Sequence, residues 1–164
     1  MKPLILALLL LLAFPVYAQV KLKTKYDKFK DETSISIPLQ YVDMKSPGRL
    51  EASAYINYKA KGEQVIIGLG FFSSSRSWRF LGSPELNAII DGERVGFGKP
   101  VSRDSEVVRY GVEESISYAI TPDQLSKLAR ASTIEMQIGH VEFRLKDKFV
   151  EALRNLQSSL PAAN

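Results

Sequence analysis

The chain contains no cysteine and only one histidine among its 164 residues. Without thiols there is no disulfide to staple a thin core. There is also no thiol nucleophile, no thiolate metal site and no N-terminal cysteine to carry a lipid. With His140 alone, a zinc site would need mostly carboxylates, which is uncommon. No Asn-x-Ser/Thr glycosylation site occurs. Charge of one sign is also scarce. The formal charge is +4, one unit less without Lys2, and nucleic-acid binders concentrate more basic charge on one face. Nucleic acid is therefore not an expected partner. Linkers, repeats and low-complexity stretches are missing too, which points to a single folded unit.

What is present begins with an address. Lys2 forms a short positive region, Leu4 to Phe14 is apolar, and Val16-Tyr17-Ala18 places small residues where a signal peptidase reads. Pro15 ends the apolar run well short of the ~20 residues that span a bilayer. Residues 1–18 therefore read as a cleaved signal peptide, leaving no stable membrane span, and the chain as exported, periplasmic or extracellular. Removing them leaves 146 of the 164 residues. A domain of this size buries ~68% of its unfolded surface without staples.

Short alternating runs between frequent turn signals predict an antiparallel β-sandwich of about nine strands over residues 19–157. Val20, Leu22, Thr24 and Tyr26 alternate with lysines as a first strand. Ile35, Ile37 and Leu39 form a second, with Pro38 marking an edge or an end. Leu50 to Tyr58 makes a long third. Val65 to Phe72 is nearly all apolar or glycine and should be central, with Gly68 and Gly70 on one face admitting a bulky neighbour from the opposite layer. Asp91-Gly92 predicts a tight hairpin turn, as does Gly139-His140. Val107 to Ile120 reads as one strand, or two with a break near Gly111.

Two segments change to a helical period. Thr121, Pro122 and Gln124 form a helix start with a capping box, followed by Leu125, Leu128 and Ala129. From Asp147, the side chains of Phe149, Leu153 and Leu156 share one face. One short helix is thus expected before the last hairpin and one at the C-terminus. Residues 158–164 should fray.

Chemistry is faint. His140 falls at a predicted hairpin tip with no acidic or histidine neighbour. No Asp-x-Asp-x-Asp calcium loop occurs, Asp27, Asp31 and Glu32 being the nearest approach. Gly-x-Ser-x-Gly is absent, and Ser126 and Ser46 lie in a helix and a turn. Glu113 and Glu114 are adjacent, so on a strand they face opposite ways and cannot act as a carboxylate pair. Gly68-Leu69-Gly70 is only a fragment of a dinucleotide loop. No catalytic residue, metal or cofactor is expected.

The densest basic run is Lys21, Lys23, Lys25, Lys28 and Lys30, offset by Asp27 and Asp31. It reads as a lysine-guarded edge strand or, alternatively, as a contact for an anionic surface. Phe71 to Phe80 is the most unusual stretch. Arg76 and Arg79 could pair with a carboxylate or phosphate, and Trp78 could stack on a sugar. Trp78 and Phe80 could equally be core rings of a re-entering strand.

Tyr26 to Thr33, taken with Leu128-Ala129-Arg130-Ala131, Val141-Glu142-Phe143-Arg144-Leu145 and Ala152-Leu153-Arg154, resembles small secreted bacterial β-rich domains of unknown function. The resemblance implies a β-sandwich in a cell-envelope setting. It implies no activity.

A non-catalytic binding or envelope-interaction domain is thus the expected function, with an envelope protein, a polysaccharide or an anionic ligand as partner. The rivals are a hydrolytic enzyme with scattered carboxylates or hydroxyls, and an assembly component pairing through a sheet edge. N-terminal sequencing of the exported chain should begin at Gln19. Retention of Met1 in a membrane fraction contradicts this reading.

Overall fold

Period-2 apolar residues build nearly all of the molecule. The structure, a computed structural model, describes residues 19–59, 65–82 and 84–161. The expected signal segment and the last three residues of the expected tail lie outside the described residues. Eleven strands occur, β1 (Lys23–Asp27), β2 (Glu32–Tyr41), β3 (Asp43–Met44), β4 (Arg49–Lys59), β5 (Ile66–Ser75), β6 (Leu86–Ile90), β7 (Glu93–Gly98), β8 (Ser102–Val108), β9 (Gly111–Ile120), β10 (Ile134–Ile138) and β11 (Val141–Arg144). Helix α1 spans Pro122–Arg130 and helix α2 spans Asp147–Gln157. The expected antiparallel β-sandwich with two short helices is the fold observed.

One sheet has six strands in the order β1-β2-β4-β5-β9-β8. The other has five, in the order β3-β11-β10-β6-β7. Inward side chains of both sheets and both helices form one core running from Ile35 to Leu156, with Val20, Leu22 and Leu160 packed against it. Phe71 of β5 holds the layers together, its ring 5.4 Å from Phe143 of β11 and 6.1 Å from Tyr118 of β9, both edge-on. The Tyr118 hydroxyl donates to the Pro84 carbonyl at 2.8 Å. Burial pushes that phenol well above its ordinary value.

The helices form where the period changes. Thr121 and Gln124 make the expected capping box, with Pro122 at the first helical position. The Gln124 amide also donates to the Gly96 carbonyl of β7 at 3.1 Å. Helix α2 packs on α1, β2 and β4. Its Arg154 donates to the Ala129 carbonyl at 2.8 Å and the Ala131 carbonyl at 3.3 Å, satisfying the end of α1. No helix among the described residues is long and apolar enough to cross a membrane.

Five expectations need correction. The first strand starts at Lys23, because Val20 and Leu22 pack against the core instead of pairing. Pro38 sits in an irregularity between Ile37 and Gln40, beyond Ser36, where β1 stops pairing; β2 itself is an inner strand. Gly68 makes room for a neighbour in its own sheet. The Tyr55 ring lies so close that a Cβ on Gly68 would meet it at 2.3 Å. Beyond the expected nine strands, β3 is a two-residue strand, and β8 begins at Ser102, ahead of the expected Val107; its break from β9 falls at Gly111, as in the two-strand alternative. Of the expected tail, Ser158 to Leu160 remain hydrogen-bonded to the last turn of α2.

The Asp91-Gly92 turn has both residues at positive φ, 48° and 86°, as a tight hairpin requires. Asp91 also reaches across to the start of β10. Its carboxylate accepts from the Thr133 amide at 2.7 Å and the Ser132 amide at 3.0 Å. These amides hold the Asp91 carboxyl below its ordinary value. A lowered carboxylate stabilises the fold above its unfolded value, and the contribution is lost as pH falls through its folded value. Asp91→Asn should therefore lower the thermal midpoint at neutral pH. The difference from the parent should vanish once acid protonates Asp91, as read by circular dichroism melts across pH.

Candidate functional site

Between β5 and β6 the chain leaves the sheets as the Ser/Arg/Trp segment. The structure divides its three candidate residues. Arg76 and Trp78 are exposed, Trp78 by 39%, whereas Arg79 and Phe80 are buried at 8% and 1%. The segment is a loop, so the strand alternation that would bury both Trp78 and Phe80 does not occur.

Arg79 is held from every side. Its guanidinium donates to the Arg49 carbonyl at 3.3 Å, the Ser73 hydroxyl at 3.2 Å and the Pro47 carbonyl, and touches the Met44 sulfur at 3.6 Å. Gly48, at φ 110°, leaves room for this head; a Cβ there would meet the Arg79 Nη2 at 2.5 Å. Burial lowers the Arg79 pKa, with Glu114 acting in the opposite direction. Glu114 lies inside the sandwich, 3% exposed, while its neighbour Glu113 pairs on the outer face. The Glu114 carboxylate accepts from the backbone amides of Arg79 at 2.7 Å and Phe80 at 3.0 Å. These contacts close one end of the sandwich. Of the three candidate residues, Arg76 and Trp78 remain accessible to a ligand there.

The rest of the expected chemistry is dispersed. His140 is exposed in the β10–β11 turn. Ser126 bonds within the helix pair, accepting from Gln157 at 2.9 Å. Among the described residues no three His, Asp or Glu side chains come together as a metal site.

A larger feature assembles from residues that no linear motif joins. The outer face of the five-stranded sheet carries a groove of about 880 Å³. Strand register sets its floor. Asp43 lies opposite Arg144, Arg144 opposite Glu135, Glu135 opposite Ile89, and Ile89 opposite Arg94. The next row runs Glu142, Gln137, Asn87 and Gly96. With Lys45 the groove holds three acidic and three basic residues. Asp43 is paired with Lys146 at 3.0 Å, and Gln137 donates to Glu142 at 3.4 Å. The side chains of Arg94, Asn87, Glu135 and Arg144 make no hydrogen bond or ion pair among the described residues. The groove therefore offers uncommitted guanidinium, amide and carboxylate groups side by side, with Ile89 half out of water at 42% as its apolar point. Outward polar positions alternating with the core residues of β6, β10 and β11 were the sequence signal for it.

The chain matches no family model, no curated protein and no solved structure.

Removing the Glu114 carboxylate strands two buried amides. Glu114→Ala should cost about 2–4 kcal/mol in urea unfolding. Trp78→Ala should leave the melting temperature within the small range of surface changes, because its ring is only partly covered. A large loss for Trp78→Ala would assign that ring to the core.

Proposed function

We propose that this chain is an exported, non-catalytic binding domain, and that its ligand is a polysaccharide lying in the groove of the five-stranded sheet. The apolar run and small-residue end of residues 1–18 support export. The groove supports the ligand class. Its charges balance, so it does not select a polyanion. Its planar guanidinium, amide and carboxylate groups can each bond two neighbouring hydroxyls. Its floor crosses all five strands, which suits an extended chain. The uncommitted row of Arg144, Glu135 and Arg94 is the observation that carries the reading.

Catalysis has less support. Glu135 and Glu142 are exposed beside an arginine and an amide, an arrangement for hydrogen bonding rather than for proton transfer in a water-excluded site. Edge pairing also has less support. Edge strand β1 carries Lys23 and Lys25, and edge strand β8 carries Arg103, Asp104 and Glu106. Charges at such positions oppose sheet extension.

The test is co-sedimentation of residues 19–164 with purified envelope polysaccharide, alongside titration calorimetry with a soluble neutral glucan. The Glu135→Ala/Arg144→Ala double variant should weaken binding at least tenfold at unchanged melting temperature. Absence of binding to either polymer, or binding indifferent to the double variant, would overturn the proposal.

A further inference from the structure

The hairpin of β1 and β2 carries a second surface, independent of the groove. Its tip, Lys28 to Asp31, projects beyond the paired residues Asp27 and Glu32. Phe29 at this tip is 89% exposed, and Tyr26 beside it 58%. Lys28 and Lys30 flank Phe29 in the turn, the Lys28 ammonium 5.1 Å from the ring centre, and Lys21, Lys23 and Lys25 lie along the segment leading to it.

In the sequence, Asp27 and Asp31 offset these lysines. In the structure both acids also shape the hairpin, while their charge stays beside the lysines. Asp27 accepts from the amides of Phe29 at 2.9 Å and Lys30 at 3.3 Å, forming the turn. Asp31, at φ 51°, accepts from the Tyr26 hydroxyl at 2.8 Å. None of the five lysines makes an ion pair among the described residues. From Lys21 to the end of β2 the segment holds five lysines against Asp27, Asp31 and Glu32, a net charge of +2. The register of β2 with β4 brings Lys59 opposite Glu32, at the same end of the sheet.

Edge protection accounts for Lys23 and Lys25 on β1. It does not account for Lys28 and Lys30, which lie in the turn, or for a phenylalanine held out in water at its apex. An exposed aromatic ring beside unpaired ammonium groups matches a bilayer surface. The ring enters the headgroup boundary and each lysine gains about 1 kcal/mol beside anionic lipid. Peripheral binding generally needs two such signals together. We propose that the β1–β2 hairpin docks the domain on an anionic phospholipid surface, with Phe29 inserted and Lys28 and Lys30 on the headgroups.

Vesicle sedimentation tests this with residues 19–164, which contain every core residue among the described residues. The vesicles are phosphatidylcholine alone, or phosphatidylcholine with about one third phosphatidylglycerol. The parent should bind only the anionic vesicles, and less as salt rises. Lys28→Gln/Lys30→Gln should lower partitioning about 25-fold, fivefold for each lysine. Phe29→Ser should lower it about tenfold. Urea midpoints of all variants should match the parent, because these side chains are exposed. Equal binding to both vesicle types would overturn the proposal, as would no vesicle binding. A Phe29→Ser variant that binds like the parent would also overturn it, because it would leave only charge, as for a soluble polyanion. The Glu135→Ala/Arg144→Ala variant should bind vesicles like the parent, so this result stands or falls apart from the groove.

Discussion

The clamp between Glu114 and the Arg79–Phe80 backbone is the constraint on which one end of the sandwich depends. A carboxylate inside an apolar layer is costly unless every lone pair finds a donor. Here the donors are two amides of a loop that would otherwise float off β5. The loop in turn delivers Arg79 to the carbonyls of Pro47 and Arg49, so the turn between β3 and β4 is fixed by the same contact. Met44 of β3 touches the Arg79 head, and β3 is one wall of the groove. A carboxylate bound to two backbone amides, out of a ligand's reach, thus positions an edge of the proposed binding face.

The two proposed surfaces use opposite logic. The groove balances charge across its rows and presents planar polar groups. The hairpin carries a modest positive excess beside one exposed ring. They belong to different sheets, the groove to the five-stranded sheet and the hairpin to the edge of the six-stranded one. Under the two proposals, polymer and lipid would not compete for the same residues.

Much of the architecture was legible in short-range chemistry. Asp91-Gly92, the Thr121–Gln124 capping box and the alternation in β4 and β10 all act within a few residues, so sequence alone announces them. What stayed hidden needs distant partners. Arg79 reads as a ligand contact because nothing nearby reveals Glu114, 35 positions away. Strand β8 was missed over Ser102–Glu106 because it is exposed on both faces and loses its alternation. The groove rows bring together residues 43, 144, 135, 89 and 94, an order only the sheet topology supplies. The hairpin was half legible: the lysines were plain, but the diversion of Asp27 and Asp31 into the turn was not.

The pairing of β3 with β11 has a consequence in time. Met44 meets Phe143 across nearly the whole domain. Likewise β10 joins β6 only after β7, β8, β9 and α1 have been threaded between them. Chains dominated by such distant pairings fold in milliseconds to seconds, because loop closure must precede its reward. The six-stranded sheet has local hairpins with which to begin. The five-stranded sheet has its β6–β7 and β10–β11 hairpins, but they join one another and β3 only once the C-terminal strands arrive. The proposed binding face therefore cannot be complete before β10 and β11 have been made, whereas the β1–β2 hairpin lies wholly in the first part of the domain.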